Sequence, residues 1–392
     1  MKKELANNSG PFNPDRKFED FSKEFIVLLL RKWSSAHHII AEVNQECFAR
    51  KHSPEEVVEA ELAVWLWLTE NGAPRIARKA NIQVNNLVDT MKVLQLMPTN
   101  IISGVNVPEI EIKDENHIIL TITSSRMLSW FQKHAPHRID MIYGKEITPV
   151  LQSFLNSIIS NVEVNALKLP TQSNMDGIVC QWDISRKGNV GDANFNMIQK
   201  KGNGELTDYS GPYSPDLKFE DFSKDFLITL MGEYSRVYLQ VSERWLEQIA
   251  QRHSRKELLE IEVETWFAVG DRVPPMIAKA TGVEVNHVVD AFKMLQVVPD
   301  NIIHRIYVVE FDIKNEDFII LTMKHCGTLL WFEKYMPHRI EEMCHKEEAP
   351  IIARYINSVL PPPYVDVIPI KLPPRLGPDD IACRFYIKRG EQ

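Results

Sequence analysis

The sequence predicts an α+β protein made of two tandem copies of one domain. Two observations support this: a long internal repeat at constant spacing, and a change within each copy from helical to alternating hydrophobic patterning. Ser9-Gly10-Pro11-Phe12 returns as Ser210-Gly211-Pro212-Tyr213, a spacing of 210 − 9 = 201 residues. The spacing slips by two only near the end, where Cys180 matches Cys383. Because a duplicated chain often replaces a two-fold homodimer, we expect a pseudo-dimer.

The repeat divides the chain into a tail, two copies and a linker rich in Gly, Asn and Lys. Each copy has a helical part followed by a part with strands. The predicted boundaries are 1–16 for the N-terminal tail, 17–186 for copy one (helical part 17–102, α+β part 103–186), 187–208 for the linker, and 209–390 for copy two (helical part 209–303, α+β part 304–390).

The helical part of copy one begins with a run from Phe21 to about Lys51 that contains neither Gly nor Pro. Ser53 then interrupts it as an N-cap residue, with Pro54 at the first position of the next helix. Two further short helices are expected before Pro98.

The second part of each copy changes period. In copy one, alternation indicates a strand, a polar turn follows, and a second strand returns. A helical region comes next, and two strands close the copy. The order β-β-α-β-β predicts an antiparallel sheet. The predicted ranges are 109–112 and 118–122 for the first two strands, 127–159 for the helical region, and 162–169 and 178–184 for the last two strands.

Composition limits the function classes. Hydrophobic residues make up 44% and charged residues 25% of the 392 residues, as in globular proteins. The net charge of −8 argues against broad nucleic-acid binding. No stretch approaches the ~20 apolar residues that span a bilayer, and no secretory signal is predicted. Five cysteines are too few for a disulfide framework, so we expect a cytoplasmic protein with reduced thiols.

One polar motif survives in both copies. His137-Arg138 follows Pro136, and His338-Arg339 recurs in copy two. Because a guanidinium offers a fork of donors, His137, Arg138, His338 and Arg339 are candidate ligands for a carboxylate or another anion. The alternative is structural, with both side chains capping a helix or forming a surface pair.

The cysteines differ between the copies. Copy two has Cys326, Cys344 and Cys383, and three thiols converging from different elements could hold one zinc ion. His325 or His345 is the expected fourth ligand. The alternative is that the cysteines are core residues, because buried free cysteine is common and no Cys-x-x-Cys pair is present. At the matching positions copy one has Ser125, Tyr143 and Cys180.

The segment from Ile277 to Leu295 has the apolar spacing and turn glycine of a helix-turn-helix. Its second helix carries Glu284 and Asp290 near its start, with Lys293 as its only cation. Carboxylates repel phosphates, so a plain helical hairpin is favoured over a DNA-reading element.

Copy two resembles a family of prokaryotic cytosolic proteins that lack an assigned activity and whose rear part is similar to vinyl-reductase-type small-molecule-binding domains. The residues that carry the resemblance are Lys218–Phe222, Tyr234, Trp245, Glu262–Trp266, Leu372–Arg375 and Asp380–Phe385. The resemblance implies a ligand-binding rear domain and metal binding by Cys326, Cys344 and Cys383. Copy one departs from the pattern at Ser125 and Tyr143. A neighbouring group resembles an aminothiazoline-carboxylate hydrolase.

These observations leave three functions open. The first is a small-molecule-binding protein whose ligand is a small organic acid or an apolar metabolite. The second is a hydrolase or lyase acting on a small organic acid in copy two, with His338 or His345 as base and Arg339 as carboxylate anchor. The third is a ligand-sensing transcriptional regulator.

Overall fold

The structure is a computed structural model, and it describes residues 4–98, 106–171, 178–187, 204–300, 307–377 and 379–390. It is α+β, with helices leading into a four-stranded antiparallel sheet in each copy, as the sequence predicts. Among the residues described, none of the helices combines the length and the apolar character that crossing a membrane requires.

Copy one begins with three helices and continues with strands and shorter helices. A long first helix is followed by a second that Ser53 caps, accepting a hydrogen bond from the Glu56 backbone. The elements are α1 (Lys23–Ala49), α2 (Pro54–Lys79), α3 (Leu87–Leu96), β1 (Asn106–Asp114), β2 (His117–Ser125), α4 (Arg126–His134), α5 (Ile139–Lys145), α6 (Ile147–Asn156), β3 (Val162–Lys168) and β4 (Cys180–Arg186).

Copy two repeats this order of main helices and strands, but one of the helices is of a different type. Where copy one has the α-helix α5, copy two has a π-helix at Ile340–Glu347, wound with about one more residue per turn. The other elements are α7 (Lys224–Arg252), α8 (Arg255–Thr281), α9 (Val288–Leu295), β5 (Tyr307–Asn315), β6 (Phe318–Cys326), α10 (Gly327–Tyr335), α11 (Glu348–Asn357), β7 (Val365–Lys371) and β8 (Cys383–Arg389).

Each sheet has the strand order first, second, fourth, third: β1-β2-β4-β3 and β5-β6-β8-β7. Side chains of β8 alternate between buried and exposed, so one face of the sheet is covered and the other is open. The covered face of copy two packs against Phe292 of α9 and Ile356 of α11. The helices therefore form a layer on one side of the sheet, and the cavity described below lies in this layer.

Two helical predictions differ from the structure. The second helix, α2, is not short: it runs for 26 residues and continues through Pro74. A proline inside a helix removes one backbone hydrogen bond, but Ala73 and Ile76 beside it are buried, and their packing offsets the loss. The helical region predicted at 127–159 is divided into α4, α5 and α6, with a short 3-10 turn at Pro136–Arg138.

The chain forms two compact units that do not follow the repeat boundaries. The copy-two unit, named for its sheet, contains Arg252–Gln392 together with Met1–Cys47 from copy one. The copy-one unit contains Phe48–Gln251 and therefore includes the front helix of copy two. We call Met1–Cys47 and residues 204–251 the front segments. Each front segment packs in the unit that holds the sheet of the other copy.

Candidate functional site

The copy-two unit contains a cavity of about 50 Å³ between its sheet and the helices that cover it. All three candidate metal ligands line it: Cys326 at the end of β6, Cys344 in the π-helix and Cys383 at the start of β8. Glu348, the first residue of α11, also lines the cavity. Most of the remaining lining is apolar and includes Met323, Leu329, Phe332, Met343 and Phe385.

Local structure explains how three distant cysteines meet. The sulfur of Cys326 accepts a hydrogen bond from the Leu329 backbone at 3.3 Å and so caps α10. Cys383 of β8 lies opposite Met323 of β6, and Met323 comes three residues before Cys326 in the same strand. The π-helix adds Cys344 from the covering layer. Such wide turns occur often at functional sites, because they turn side chains that an α-helix would place elsewhere.

The ionisable groups of the cavity favour their neutral forms. Burial raises the pKa of all three thiols, that of Cys326 to about 12, and the nearby Glu348 carboxylate raises them further. Burial also raises the pKa of the Glu348 carboxyl to about 7. A bound cation would reverse this preference, since it stabilises each ligand in its deprotonated form.

The candidate ligands line the same cavity, but they do not surround one common point. The three sulfur atoms, all from described residues, do not form a group in which every pair lies within 4.8 Å. Tetrahedral zinc with bonds of ~2.3 Å to sulfur needs sulfur pairs roughly 3.8 Å apart. Metal binding at these residues therefore requires their side chains to rotate toward a common centre.

The histidines expected as fourth ligands lie outside this cavity. The Nε2 atom of His345 is 2.5 Å from the carbonyl oxygen of Pro373, and His325 is exposed. Glu348, and not a histidine, is the fourth potential ligand in the cavity. A signal for it exists in the repeat, because copy one has the apolar Ile147 at the matching position.

Copy one fills the equivalent space with a ring. Tyr143, which matches Cys344, is 1% exposed. Burial raises the pKa of its hydroxyl, the nearby Cys180 thiol raises the pKa further, and the nearby Ser125 side chain lowers it. The phenol thus lies beside the two residues that match Cys383 and Cys326. Copy one therefore offers one thiol and a bulky ring where copy two offers three thiols.

The structure separates the two members of each His-Arg motif. His137 and His338 are exposed, whereas Arg138 and Arg339 are 3% and 2% exposed. The guanidinium of Arg138 lies 3.6 Å from buried Glu61, and that of Arg339 pairs with buried Glu262. These arginines are held in buried ion pairs and do not face solvent beside their histidines. Their binding of an external anion stays a prediction.

The helical hairpin of copy two keeps its cation occupied. The Nζ atom of Lys293 lies 2.9 Å from Asp290, and the lysine is 7% exposed. Gly282 ends α8 in the left-handed conformation at φ 66°, as the turn glycine predicts. A buried, paired lysine is poorly placed to contact a phosphate, which favours the plain-hairpin interpretation.

A larger groove of about 530 Å³ lies on the open face of the copy-two sheet. Its lining includes three carboxylates and one guanidinium, that of Arg384, whose Nε donates to Thr322 at 3.0 Å. The carboxylates are Asp15, Glu310 and Asp312. Because these three negative charges outnumber the single positive charge, the groove is unfavourable for binding the carboxylate of an organic acid.

No family model, curated protein or solved structure matches this chain. The resemblance to vinyl-reductase-type domains therefore stays a prediction.

Proposed function

We propose that this chain is a metal-binding protein whose copy two holds one soft divalent ion, such as zinc, in the cysteine-lined cavity. One observation carries the proposal: three thiols and one carboxylate, brought from β6, the π-helix, β8 and α11, line the same small cavity. Thiolates are the preferred ligands of zinc in closed sites, and a carboxylate can complete four.

The size of the cavity favours an ion over an organic molecule. Sites for small organic ligands usually measure roughly 300–1,000 Å³, whereas this cavity measures about 50 Å³. A single water needs ~10–15 Å³ by this kind of measure, so the space suits one ion with at most a few waters. An organic acid or apolar metabolite, the ligand class predicted from the sequence, would need the cavity to open.

Counted over the cavity of copy two and the equivalent position of copy one, the available ligands are enough for one ion. Copy two supplies Cys326, Cys344, Cys383 and Glu348, which is enough for a tetrahedral site. Copy one supplies Cys180 beside the ring of Tyr143, and one thiol cannot hold zinc by itself. We therefore propose copy two as the binding half and copy one as its scaffold.

Elemental analysis of protein purified under reducing conditions without chelator tests the proposal. We expect close to one zinc per chain and less than a tenth of that in Cys344→Tyr, which introduces the residue of copy one. Cys180→Ala is the matched control, since it removes a buried strand cysteine from copy one and should leave the metal content unchanged. Equal metal in wild type and Cys344→Tyr would refute the proposal, as would two ions per chain.

A second candidate is a zinc hydrolase, and the place of Glu348 beside the three cysteines favours it. If the thiolates alone held the ion, the fourth position would stay open for water, and the Glu348 carboxylate could act as its general base. Neither His338 nor His345 lines the cavity, so the role proposed for a histidine base would pass to Glu348. The zinc content of the variant Glu348→Gln distinguishes a hydrolase site with an open position from a closed metal site. Full zinc in Glu348→Gln indicates three thiolates with an open fourth position, whereas lost zinc indicates a closed four-ligand site.

A further inference from the structure

The two units exchange their front segments through matching contacts. In the copy-two unit, the indole Nε1 of Trp33 donates to the carbonyl of Val297 at 2.8 Å. In the copy-one unit, the hydroxyl of Tyr234 donates to the carbonyl of Leu96 at 3.0 Å. Trp33 and Tyr234 differ by 201 residues, as do Leu96 and Val297. The same position of each front helix thus binds the same position in the rear of the other copy.

A second pair of matching contacts involves the chain before each front helix. Gln296 donates from its amide to the carbonyl of Asn13 at 2.8 Å. Gln95, the matching residue of copy one, donates to the carbonyl of Ser214 at 2.8 Å. The spacing of 201 again relates both members. The exchange is therefore a reciprocal docking of two front segments, each fastened at equivalent points.

Polar residues in the copy-one unit distinguish the two front helices. The Arg75 guanidinium bonds to Glu233 at 3.2 Å and to Gln240 at 2.8 Å. Glu233 is 4% exposed, so its charge depends on Arg75 for a partner. In the front helix of copy one, the residues at these positions are Lys32 and Ile39. That helix would place a like charge and an apolar side chain beside Arg75.

We propose that the two repeat copies are obligate partners and that Arg75 selects the front helix of copy two over that of copy one. The linker is not needed to hold the two copies together. Apolar packing alone would accept either front helix, because both helices carry the same pattern of apolar residues. An arginine that meets a glutamate in one case and a lysine in the other supplies the discrimination.

Cutting the folded chain tests the first part of the proposal. A protease site is placed between Lys187 and Gly204, the intact protein is purified, and the linker is then cleaved under native conditions. We expect the two fragments to elute together in size exclusion at the volume of the uncut protein, and to separate only in denaturant. Separation in native buffer would overturn the proposal.

A charge exchange tests the role of Arg75. Glu233→Lys introduces the charge of copy one, and we expect it to weaken association of the cut fragments by about 30-fold or more, because a buried charge loses its partner. Adding Arg75→Glu should restore most of the affinity. Asp225→Lys, at an exposed position of the same helix, is the control for charge alone. An equal effect of both lysines, or no rescue, would refute the selective role.

Discussion

At the scale of single residues, Glu348 couples the stability of the metal-free protein to pH. The pKa of its carboxyl is raised from 4.5 to about 7 in the folded protein, so the folded state holds the proton more tightly than the unfolded state. Stability is then lost as pH rises from about 4.5 to about 7. The pKa values of the surrounding thiols are raised as well, so they stay protonated over this range.

We therefore expect Glu348→Gln, in the presence of a chelator, to be more stable than wild type at pH 8 by up to about 3 kcal/mol. The difference should vanish near pH 4. Urea unfolding at a series of pH values measures both. A difference that stays constant over pH would show that Glu348 does not hold a proton in the folded protein.

A second residue-scale prediction concerns the buried arginines. Removing Glu262 leaves the buried Arg339 with only its longer contact of 3.6 Å to Glu342, so Glu262→Gln should lower the free energy of unfolding by about 3 kcal/mol. Asp271→Asn is the matched control, because its pair with Arg354 is short, 2.6 Å, but exposed, and such pairs contribute less than about 1 kcal/mol. Denaturant titration of both variants decides. Similar losses in the free energy of unfolding would mean that the Glu262–Arg339 pair contributes no more than an exposed ion pair does.

The candidate site could be predicted in part from single residues. Comparing the copies singled out Cys326, Cys344 and Cys383, and all three line one cavity, although their metal binding stays a prediction. The choice of histidine as fourth ligand had no geometric basis. A π-helix places the residues around Cys344 differently from an α-helix, and sequence periodicity does not reveal that difference.

At the scale of elements, two glycines in matching helices should respond in opposite ways to alanine. A Cβ atom on Gly270 of α8 would lie 2.9 Å from the buried ring of Tyr355 in α11, so Gly270→Ala should cost about 1–3 kcal/mol. At Gly72 of α2 the nearest atom is Met97 Cε at 3.9 Å, an ordinary contact. Gly72→Ala should therefore stabilise by up to about 1 kcal/mol through helix propensity.

Thermal and denaturant unfolding of the two variants check this prediction. Stabilisation by Gly270→Ala would mean that α8 and α11 are not packed as closely as described. Destabilisation by Gly72→Ala would mean that Met97 packs closer to α2 than described.

The helices and strands agree with the sequence prediction where the local sequence signals are strong. The strand pairs and the polar turn at 114–116 match β1 and β2 within a few residues, because alternation and turn residues act locally. The course of α2 through Pro74 was not predictable in the same way. Packing around the proline decides it, and packing is not a local property of the sequence.

At the scale of the whole molecule, the duplication was clear from the sequence but the exchange of front segments was not. Both front helices carry similar apolar patterns, so the repeat fits own-copy packing and exchanged packing equally well. The discriminating information lies in pairs such as Arg75 and Glu233, which are distant in sequence. Their meaning appears only when their positions in space are known.

The exchange makes a prediction about how the bound metal stabilises the chain. A ligand that binds only the folded state protects the whole cooperative unit that holds it. If zinc binds in the copy-two unit, hydrogen exchange should slow in Arg252–Gln392 and also in α1, because Met1–Cys47 belongs to that unit. The front segment of copy two, although covalently continuous with the metal-binding half, should change little.

Hydrogen exchange followed by mass spectrometry, with zinc and with chelator, measures this directly. Peptides from α1 and α7 form the matched pair, since they occupy equivalent positions in the two copies. Slower exchange in α1 with little change in α7 is the expected result. The reverse pattern would place each front helix with its own copy and contradict the exchange. Cys344→Tyr should remove the effect of zinc on α1 if the protection arises at the proposed site.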